Sequence, residues 1–200
     1  MSRTTSSPSR LPAAGGTLAA ALWPAALPSA ARAALVVAGG SALLALSAKV
    51  QVPLWPVPMT LQTLVVLLLG AACGWRLGAA AVAAYLVEGA LGLPVFAGTA
   101  AGPLYLAGPT GGFLLGFLPA VVLVGWLAER GFDRSLPRAL VAMALGHAAI
   151  FAVGLAWLAL SVGPARAWVL GAAPFALATL LKTALAATLM RAGWRLAGPR

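Results

Sequence analysis

The sequence GLPVFAGTAAGPLYLAGPTGGFLLGF, residues 92–117, decides how the chain is divided. It is uncharged, rich in glycine, broken by three prolines, and flanked on both sides by long apolar runs. It is too broken to be a spanning helix and too apolar for an ordinary solvated loop. Irregular backbone near a bilayer is tolerated where protein buries it or where it lines a cavity. The segment is therefore either a wall or lid of a small-molecule site or a tight connector that binds nothing.

The composition on either side of this segment is that of a membrane protein. Of the 200 residues, 62% are hydrophobic and only 8% are charged, whereas a soluble domain has roughly 25% charged residues. The apolar runs between charges are long enough to cross the hydrocarbon core, which takes ~20 residues of helix. They are continuous and do not alternate as barrel strands do. The predicted fold class is an all-α, polytopic membrane protein with six transmembrane helices.

The predicted spans and domains follow from prolines and charges. We predict a proline-rich N-terminal tail over residues 1–31, a transmembrane domain over residues 32–192, and a basic cytoplasmic tail over residues 193–200. The tail has three interpretations: a signal peptide, an interfacial or extra membrane segment, or a disordered segment, which its prolines favour. Residues 50–60 are predicted as an extended connector, and Pro164 as part of a short loop. The six spans are residues 32–49, 61–74, 77–91, 112–128, 139–160 and 174–190.

The basic residues predict the orientation of these spans. With the N-terminus inside, ten of the 13 lysines and arginines lie on the inner side, two lie outside, and Lys182 lies within a span. Such a bias is typical of cytoplasmic loops. We expect both termini in the cytoplasm of a bacterial-type plasma membrane, with residues 92–111 on the outer side. Because the net charge of +10 is placed at the ends of spans, it does not indicate nucleic-acid binding.

Small residues form a stripe on the first span. Ala34, Ala38 and Ala42 recur at four-residue spacing, which lets another helix approach closely. The stripe is either an internal packing surface or a docking surface for a partner membrane subunit.

Ionisable residues within the spans are the first candidates for function, because they are costly there. They are Glu88, His147 and Lys182. Lys182 either pairs with Glu88 in a structural role or binds a polar or anionic ligand group. His147 is interpreted as a helix-contact residue. Thr60 and Gln62, near the outer end of the second span, can add neutral hydrogen bonds to a pocket.

No catalytic set emerges from the chain. It lacks the HExxH and GxxxxGK[ST] patterns, and its single cysteine, Cys73, is given no role. We therefore expect no enzyme activity, metal or cofactor. Active transport would need an ion gradient or a partner that hydrolyses ATP.

Three ordered motifs resemble the biotin transporter family BioY. They are PVPMTLQTLVVLLLGAACG at residues 56–74, GLPVFAG with GPTGG and FLLGF at residues 92–117, and PFALATLLKTALAA at residues 174–187. The resemblance extends over about residues 32–190.

The resemblance implies a substrate-binding S component of an energy-coupling factor transporter. Such a protein has six helices, holds biotin near the outer face, and works with a transmembrane coupling subunit and two ABC-type ATPases. The stripe of Ala34, Ala38 and Ala42 would then contact the coupling subunit. One position departs from the family pattern, because Thr179 stands where an aspartate is expected three residues before Lys182.

Biotin has an apolar bicycle, a polar ureido edge and a carboxylate tail, so its pocket should be apolar with a few placed polar groups. The candidate binding residues are Lys182, Thr179, Glu88 and Gln62 as polar groups, Tyr85, Phe96, Tyr105 and Phe175 as walls, and Thr110 and Gly111 in the GPTGG motif. Two alternatives stay open: an S component for another vitamin, and a structural membrane subunit without a ligand.

Overall fold

The computed structural model describes residues 16–22 and 28–198. These residues form helices joined by short connectors, with one two-residue strand pair in which Gln51 is opposite Thr60. The elements are α1 (Leu18–Leu22), α2 (Ser29–Lys49), β1 (Gln51–Val52), β2 (Met59–Thr60), α3 (Gln62–Ala90), α4 (Pro103–Ala107), α5 (Gly111–Glu129), α6 (Leu136–Val162), α7 (Pro164–Gly171), a 3-10 turn (Ala173–Phe175) and α8 (Ala176–Ala197).

Helix α3 is a hairpin of two antiparallel arms rather than one straight rod. The break is at Gly74, whose φ of 81° and ψ of 168° are not helical. The Gln62 Nε2 and Tyr85 hydroxyl oxygen atoms are 2.6 Å apart, although 23 residues along one straight helix would span about 34 Å. The arms are residues 62–73 and 75–90. Together with α2, α5, α6 and α8 they make six apolar segments within the described residues, as the sequence predicts.

Glycine lets α5 pack between the two arms of this hairpin. A Cβ on Gly70 would lie 2.7 Å from the Val121 carbonyl oxygen, and one on Gly125 would lie 2.4 Å from the Trp75 amide nitrogen. Both neighbours are backbone atoms, which have no side-chain rotamer to give way. The hairpin and α5 consequently form the tightest part of the buried core, while α2 and α8 pack around it.

The hairpin bend and both ends of the described chain lie at the same end of the bundle. The Trp75 amide donates to Glu129 Oε1 over 3.3 Å. Leu18 of α1 lies against Gly193 near the end of α8. Most arginines border this end: Arg32, Arg76, Arg130, Arg134, Arg138, Arg191 and Arg195. The opposite end carries Lys49, the β1–β2 pair, residues 91–110 and α7.

Several predicted boundaries differ from the structure. Within the predicted tail 1–31, Leu18–Leu22 is helical and Leu18 is buried, and α2 begins at Ser29; residues 1–15 and 23–27 lie outside the described residues. Helix α8 continues to Ala197, into the predicted tail 193–200. The loop predicted at Pro164 is helix α7, because proline at the first position of a helix loses no hydrogen bond.

The α5–α6 connector is fastened to the end of α8 by a buried carboxylate. Asp133 Oδ2 accepts a hydrogen bond of 2.6 Å from Trp194 Nε1, and Asp133 is 2% exposed. Its other oxygen, Oδ1, has no hydrogen-bond partner among the described residues. Burial raises the pKa of this carboxyl above its ordinary value, against the lowering effect of the Trp194 hydrogen bond.

We expect this carboxyl to make the protein more stable in acid than at neutral pH. Because its pKa is raised on folding, its stabilising contribution is complete below the unfolded value of 3.8 and is lost as the pH rises through the folded value. Asp133→Asn keeps an acceptor for Trp194 and removes the ionisation. The unfolding temperatures of wild type and Asp133→Asn, measured from below pH 3.8 to neutral pH, check this effect. If the unfolding temperature of wild type changed with pH in parallel with that of the variant, this expectation would be contradicted.

Candidate functional site

A small cavity lies at the end of the bundle that carries Lys49, and the residues that precede α5 cover it. The enclosed space is about 50 Å³. Its walls come from the β2–α3 junction, the lid segment (residues 92–110), α5, α6 and α8. The lining residues are Val57, Pro58, Thr60, Gln62, Thr63, Ala97, Tyr105, Thr110, Phe113, Leu114, Phe117, Ile150, Phe151, Phe175, Ala178, Thr179 and Lys182.

Lys182 brings the only cationic group among these lining residues. Its ammonium donates to the Thr60 carbonyl oxygen over 2.5 Å and to Thr63 Oγ1 over 3.4 Å. An ammonium has three N–H donors, and in the described structure Lys182 makes no ion pair with a carboxylate. The group is thus fixed at the cavity edge by neutral acceptors, and these two contacts leave one of its three N–H donors for a ligand.

Polar contacts within α8 and between α8 and α6 fix the position of α8 beside the cavity. Thr183 Oγ1 donates to the Thr179 carbonyl over 2.8 Å and lies 2.9 Å from His147 Nδ1. The hydroxyl proton is used by the carbonyl, so His147 donates from Nδ1. His147 is 3% exposed, and its Nε2 has no hydrogen-bond partner among the described residues. It therefore serves as a helix contact between α6 and α8, the role that its sequence context indicates.

Gln62 is a buried polar group that lines the same cavity as Lys182. It is 3% exposed, and its Oε1 accepts from Thr60 Oγ1 over 3.2 Å. Its Nε2 donates to the Tyr85 hydroxyl, which in turn donates to the Val95 carbonyl of the lid segment over 3.3 Å. This chain of hydrogen bonds connects both arms of α3 to the lid.

Aromatic rings make up much of the apolar wall. Tyr105 lines the cavity and stacks on Phe96, with ring centroids 5.2 Å apart and planes at 19°. Phe96 is fully buried behind it and meets the edge of Tyr85 at 5.5 Å. Burial raises the pKa of the Tyr105 phenol above its ordinary value, so this hydroxyl is neutral at physiological pH.

Six of the ten candidate binding residues line the cavity, and four do not. The six are Lys182, Thr179, Gln62, Tyr105, Phe175 and Thr110. Tyr85 and Phe96 lie behind the wall, and Gly111 packs against the Leu106 carbonyl. Glu88 lies on the α2 side, where its Oε2 accepts a 2.5 Å hydrogen bond from Ser41 Oγ. The alternative ion pair between Lys182 and Glu88 is absent, because Ser41 and Thr60 satisfy the two groups separately.

Several lining residues were missed at the level of sequence. Phe113 and Phe117 are four residues apart in FLLGF, and Ala178 lies on the same face of α8 as the predicted residues Thr179 and Lys182. Their spacing was a usable signal. Ile150 and Phe151 on α6 carry no signal that separates cavity residues from core residues.

The cavity is far smaller than an occupied vitamin site. Small-molecule pockets measure roughly 300–1,000 Å³, whereas this one encloses about 50 Å³. The closed arrangement therefore holds a few water molecules at most. A wall has to move before a bicyclic ligand fits.

The small-residue stripe on α2 is uncovered. Ala34, Ala38 and Ala42 are all exposed, and a Cβ on the adjacent Gly39 would meet nothing within 4 Å. The interpretation of the stripe as an internal packing surface is therefore wrong within the described chain.

Comparison with known proteins gives consistent results. The model of the BioY family matches residues 17–199. The chain is 37% identical to the probable biotin transporter BioY of Pyrococcus horikoshii, over 72% of this chain and 85% of that protein. It is 38% identical to the biotin transporter BioY of Thermotoga maritima, over 74% and 86%. The fold matches the crystal structure of an S-component for biotin from an ECF-type ABC transporter with a TM-score of 0.75, 23% identity, and coverage of 88% and 96%.

Proposed function

Because this chain belongs to the BioY family, we propose that it is a membrane transporter subunit that binds biotin from the outer side and mediates its uptake. The observation that carries the proposal is the chemistry of the cavity. Its wall is mainly aromatic and aliphatic, and one ammonium, that of Lys182, stands at its edge without a carboxylate partner. The proposed role is transport rather than catalysis.

Each part of biotin has a counterpart among the lining residues. The bicycle is apolar and suits Tyr105, Phe175 and the α5 phenylalanines. The ureido edge and the carboxylate need donors and acceptors, and Lys182, Thr179 and Gln62 offer both kinds. We propose that Lys182 contacts a polar end of the ligand and releases the Thr60 carbonyl when it does so. Thr179 has a hydroxyl where the family pattern has a carboxylate, so it can donate as well as accept.

Tyr85, Phe96 and Gly111 support this site from behind, while Thr110 contributes to its wall. Glu88, held by Ser41, has a structural role in this proposal. In this proposal the lid segment closes over bound biotin.

Energy for uptake comes from partner proteins in this proposal. The chain has no phosphate-binding loop of its own, and the structure that shares its fold is described as part of an ECF-type ABC transporter. We propose that a transmembrane coupling subunit docks on the Ala34, Ala38 and Ala42 stripe and connects it to ABC-type ATPases. No bound cofactor is needed for this role, since biotin is the cargo.

We also propose that both termini are cytoplasmic. Leu18 and Gly193 are in contact at one end of the bundle, so the described chain begins and ends on the same side. Arginines border that end, and an excess of arginine is typical of the cytoplasmic side.

The direct test is equilibrium binding of labelled biotin to the purified protein in detergent, without partner subunits. We expect saturable binding of one biotin per chain that unlabelled biotin displaces. Thiamine and riboflavin serve as control competitors and should not displace it. A folded protein that fails to bind biotin would contradict the proposal, and saturable binding of another vitamin would instead favour a transporter subunit of different specificity.

A further inference from the structure

Lys49, a residue outside the cavity, is hydrogen-bonded to the backbone of the lid segment. It is the last residue of α2. Its Nζ donates to the carbonyl oxygens of Pro94, Phe96 and Gly98 over 2.6, 2.8 and 2.7 Å. All three N–H donors of the ammonium are thus used. An ammonium with every donor engaged in this way is a clamp on the backbone rather than a free cation for a ligand.

The clamped backbone has a shape that makes the three contacts possible. The acceptors are on alternate residues of a run that bends at Pro94, Phe96 and Ala97, and the three carbonyls converge on one ammonium. The run ends at Gly98, whose φ of +65° lies in the region that favours glycine. The carbonyl of Val95, which lies between the first two of these acceptors, accepts from the Tyr85 hydroxyl. Four of the five carbonyls of residues 94–98 are therefore held by two side chains, Lys49 from α2 and Tyr85 from α3.

The clamped run bears directly on the cavity. Ala97 lines the cavity, and the ring of Phe96 supports Tyr105, which also lines it. The Phe96 ring is itself seated over Gly89, where a Cβ would lie 2.0 Å from Phe96 Cζ. If residues 94–98 lift away from α2, Ala97 leaves the wall and Tyr105 loses the ring behind it. The space above Lys182 then opens.

The position of Lys49 makes the clamp reversible. Lys49 is exposed, and so are its hydrogen bonds to Pro94 and Gly98. Water can replace these carbonyls when the lid lifts, so no buried charge is left unpaired. A buried lysine would lock the lid, whereas an exposed one gives a barrier of moderate height.

We propose that Lys49 is a positioning residue that sets how long the lid stays closed over the ligand. It touches no part of the ligand and acts through the backbone of residues 94–98. This role rests on the proposed function, since it assumes that the lid closes over a bound molecule. Lys49 thereby controls dissociation more than association.

The test compares Lys49→Met with the matched control Arg166→Met. Both variants remove one positive charge from an exposed residue at the outer end, and only the first removes the clamp. The first measurement is hydrogen–deuterium exchange of the lid peptides without biotin. We expect exchange at residues 95–102 to rise at least about tenfold in Lys49→Met, since three charge-assisted hydrogen bonds are lost. The control should match wild type.

The second measurement is the rate of biotin release by stopped-flow displacement. We expect the dissociation rate constant to rise about tenfold in Lys49→Met, with an association rate constant equal to or above that of wild type. A purely structural lysine would lower the fraction of competent protein and leave the dissociation rate of the remainder unchanged. That result would overturn the proposal, as would unchanged lid exchange.

The two measurements separate this inference from the proposed function. If wild type does not bind biotin, the proposed function fails, and the exchange experiment on the ligand-free protein still tests the clamp. If wild type binds biotin and Lys49→Met releases it at the wild-type rate, the proposed function stands and the role of Lys49 is wrong.

Discussion

Lys182→Met is expected to weaken biotin binding by about 100-fold, because charge-assisted hydrogen bonds to a ligand contribute roughly 1.5–3 kcal/mol each. Methionine fills a similar volume and removes only the ammonium. The cavity keeps its apolar wall, so weak binding through the bicycle should persist. The equilibrium dissociation constant in detergent measures the effect.

The matched control is Leu181→Met, which creates the same residue one position earlier. Leu181 is 63% exposed and is absent from the cavity lining, so its replacement should leave affinity unchanged. Biotin amide, which lacks the carboxylate charge, identifies the group that Lys182 meets. If that group is the carboxylate, wild type should prefer biotin to the amide and Lys182→Met should not.

Lys182 also ties α8 to the Thr60 carbonyl, so thermal unfolding has to be measured beside affinity. A variant with lower thermal stability and wild-type affinity would show that Lys182 only fastens α8. The role proposed for it in binding would then be wrong.

Gly125→Val is expected to abolish accumulation of folded protein. Even a single Cβ at this position would lie 2.4 and 2.6 Å from the Trp75 amide nitrogen and Cα. Those atoms belong to the hairpin bend, which cannot move without displacing one arm of α3 from α5. Overpacking commonly costs about 1–3 kcal/mol and more where backbone must shift, against a total stability of roughly 5–15 kcal/mol.

Gly39→Val provides the comparison within the same membrane domain. A Cβ at Gly39 meets nothing within 4 Å, so this variant should express and unfold like wild type. The measurement is the monodisperse peak in size-exclusion chromatography, followed by thermal unfolding of what is recovered. A Gly125→Val protein with the yield and thermal stability of wild type would contradict the packing described for α5.

The features that could be predicted from sequence are those that a local pattern of residues marks. Long apolar runs predicted the six segments, and Gly74 followed by Arg76 marked the reversal between the second and third of them. The same local reasoning picked Lys182 and Gln62, because polar groups inside apolar runs are conspicuous. The cavity does contain both residues, and their role in binding stays a prediction.

The features that could not be predicted depend on contacts between distant parts of the chain. Lys182 meets Thr60, which is 122 residues earlier, and no local pattern pairs them. Glu88 was expected to face the ligand, but α2 supplies Ser41 as a nearer hydrogen-bond donor. Lys49 looked like an ordinary basic residue at the end of a span, since nothing in the sequence shows that three lid carbonyls converge on it.

The hairpin bend at Gly74 has a consequence for the biosynthesis of the protein. At 1.5 Å per residue, arms of 12 and 16 residues reach about 18 and 24 Å, and a hydrocarbon core is about 30 Å thick. Neither arm is long enough to be released into lipid by itself as an independent stop-transfer segment. We therefore expect the translocon to retain the first arm until the second arm, which ends at residue 90, has also entered it, and then to release both arms into the bilayer as one unit.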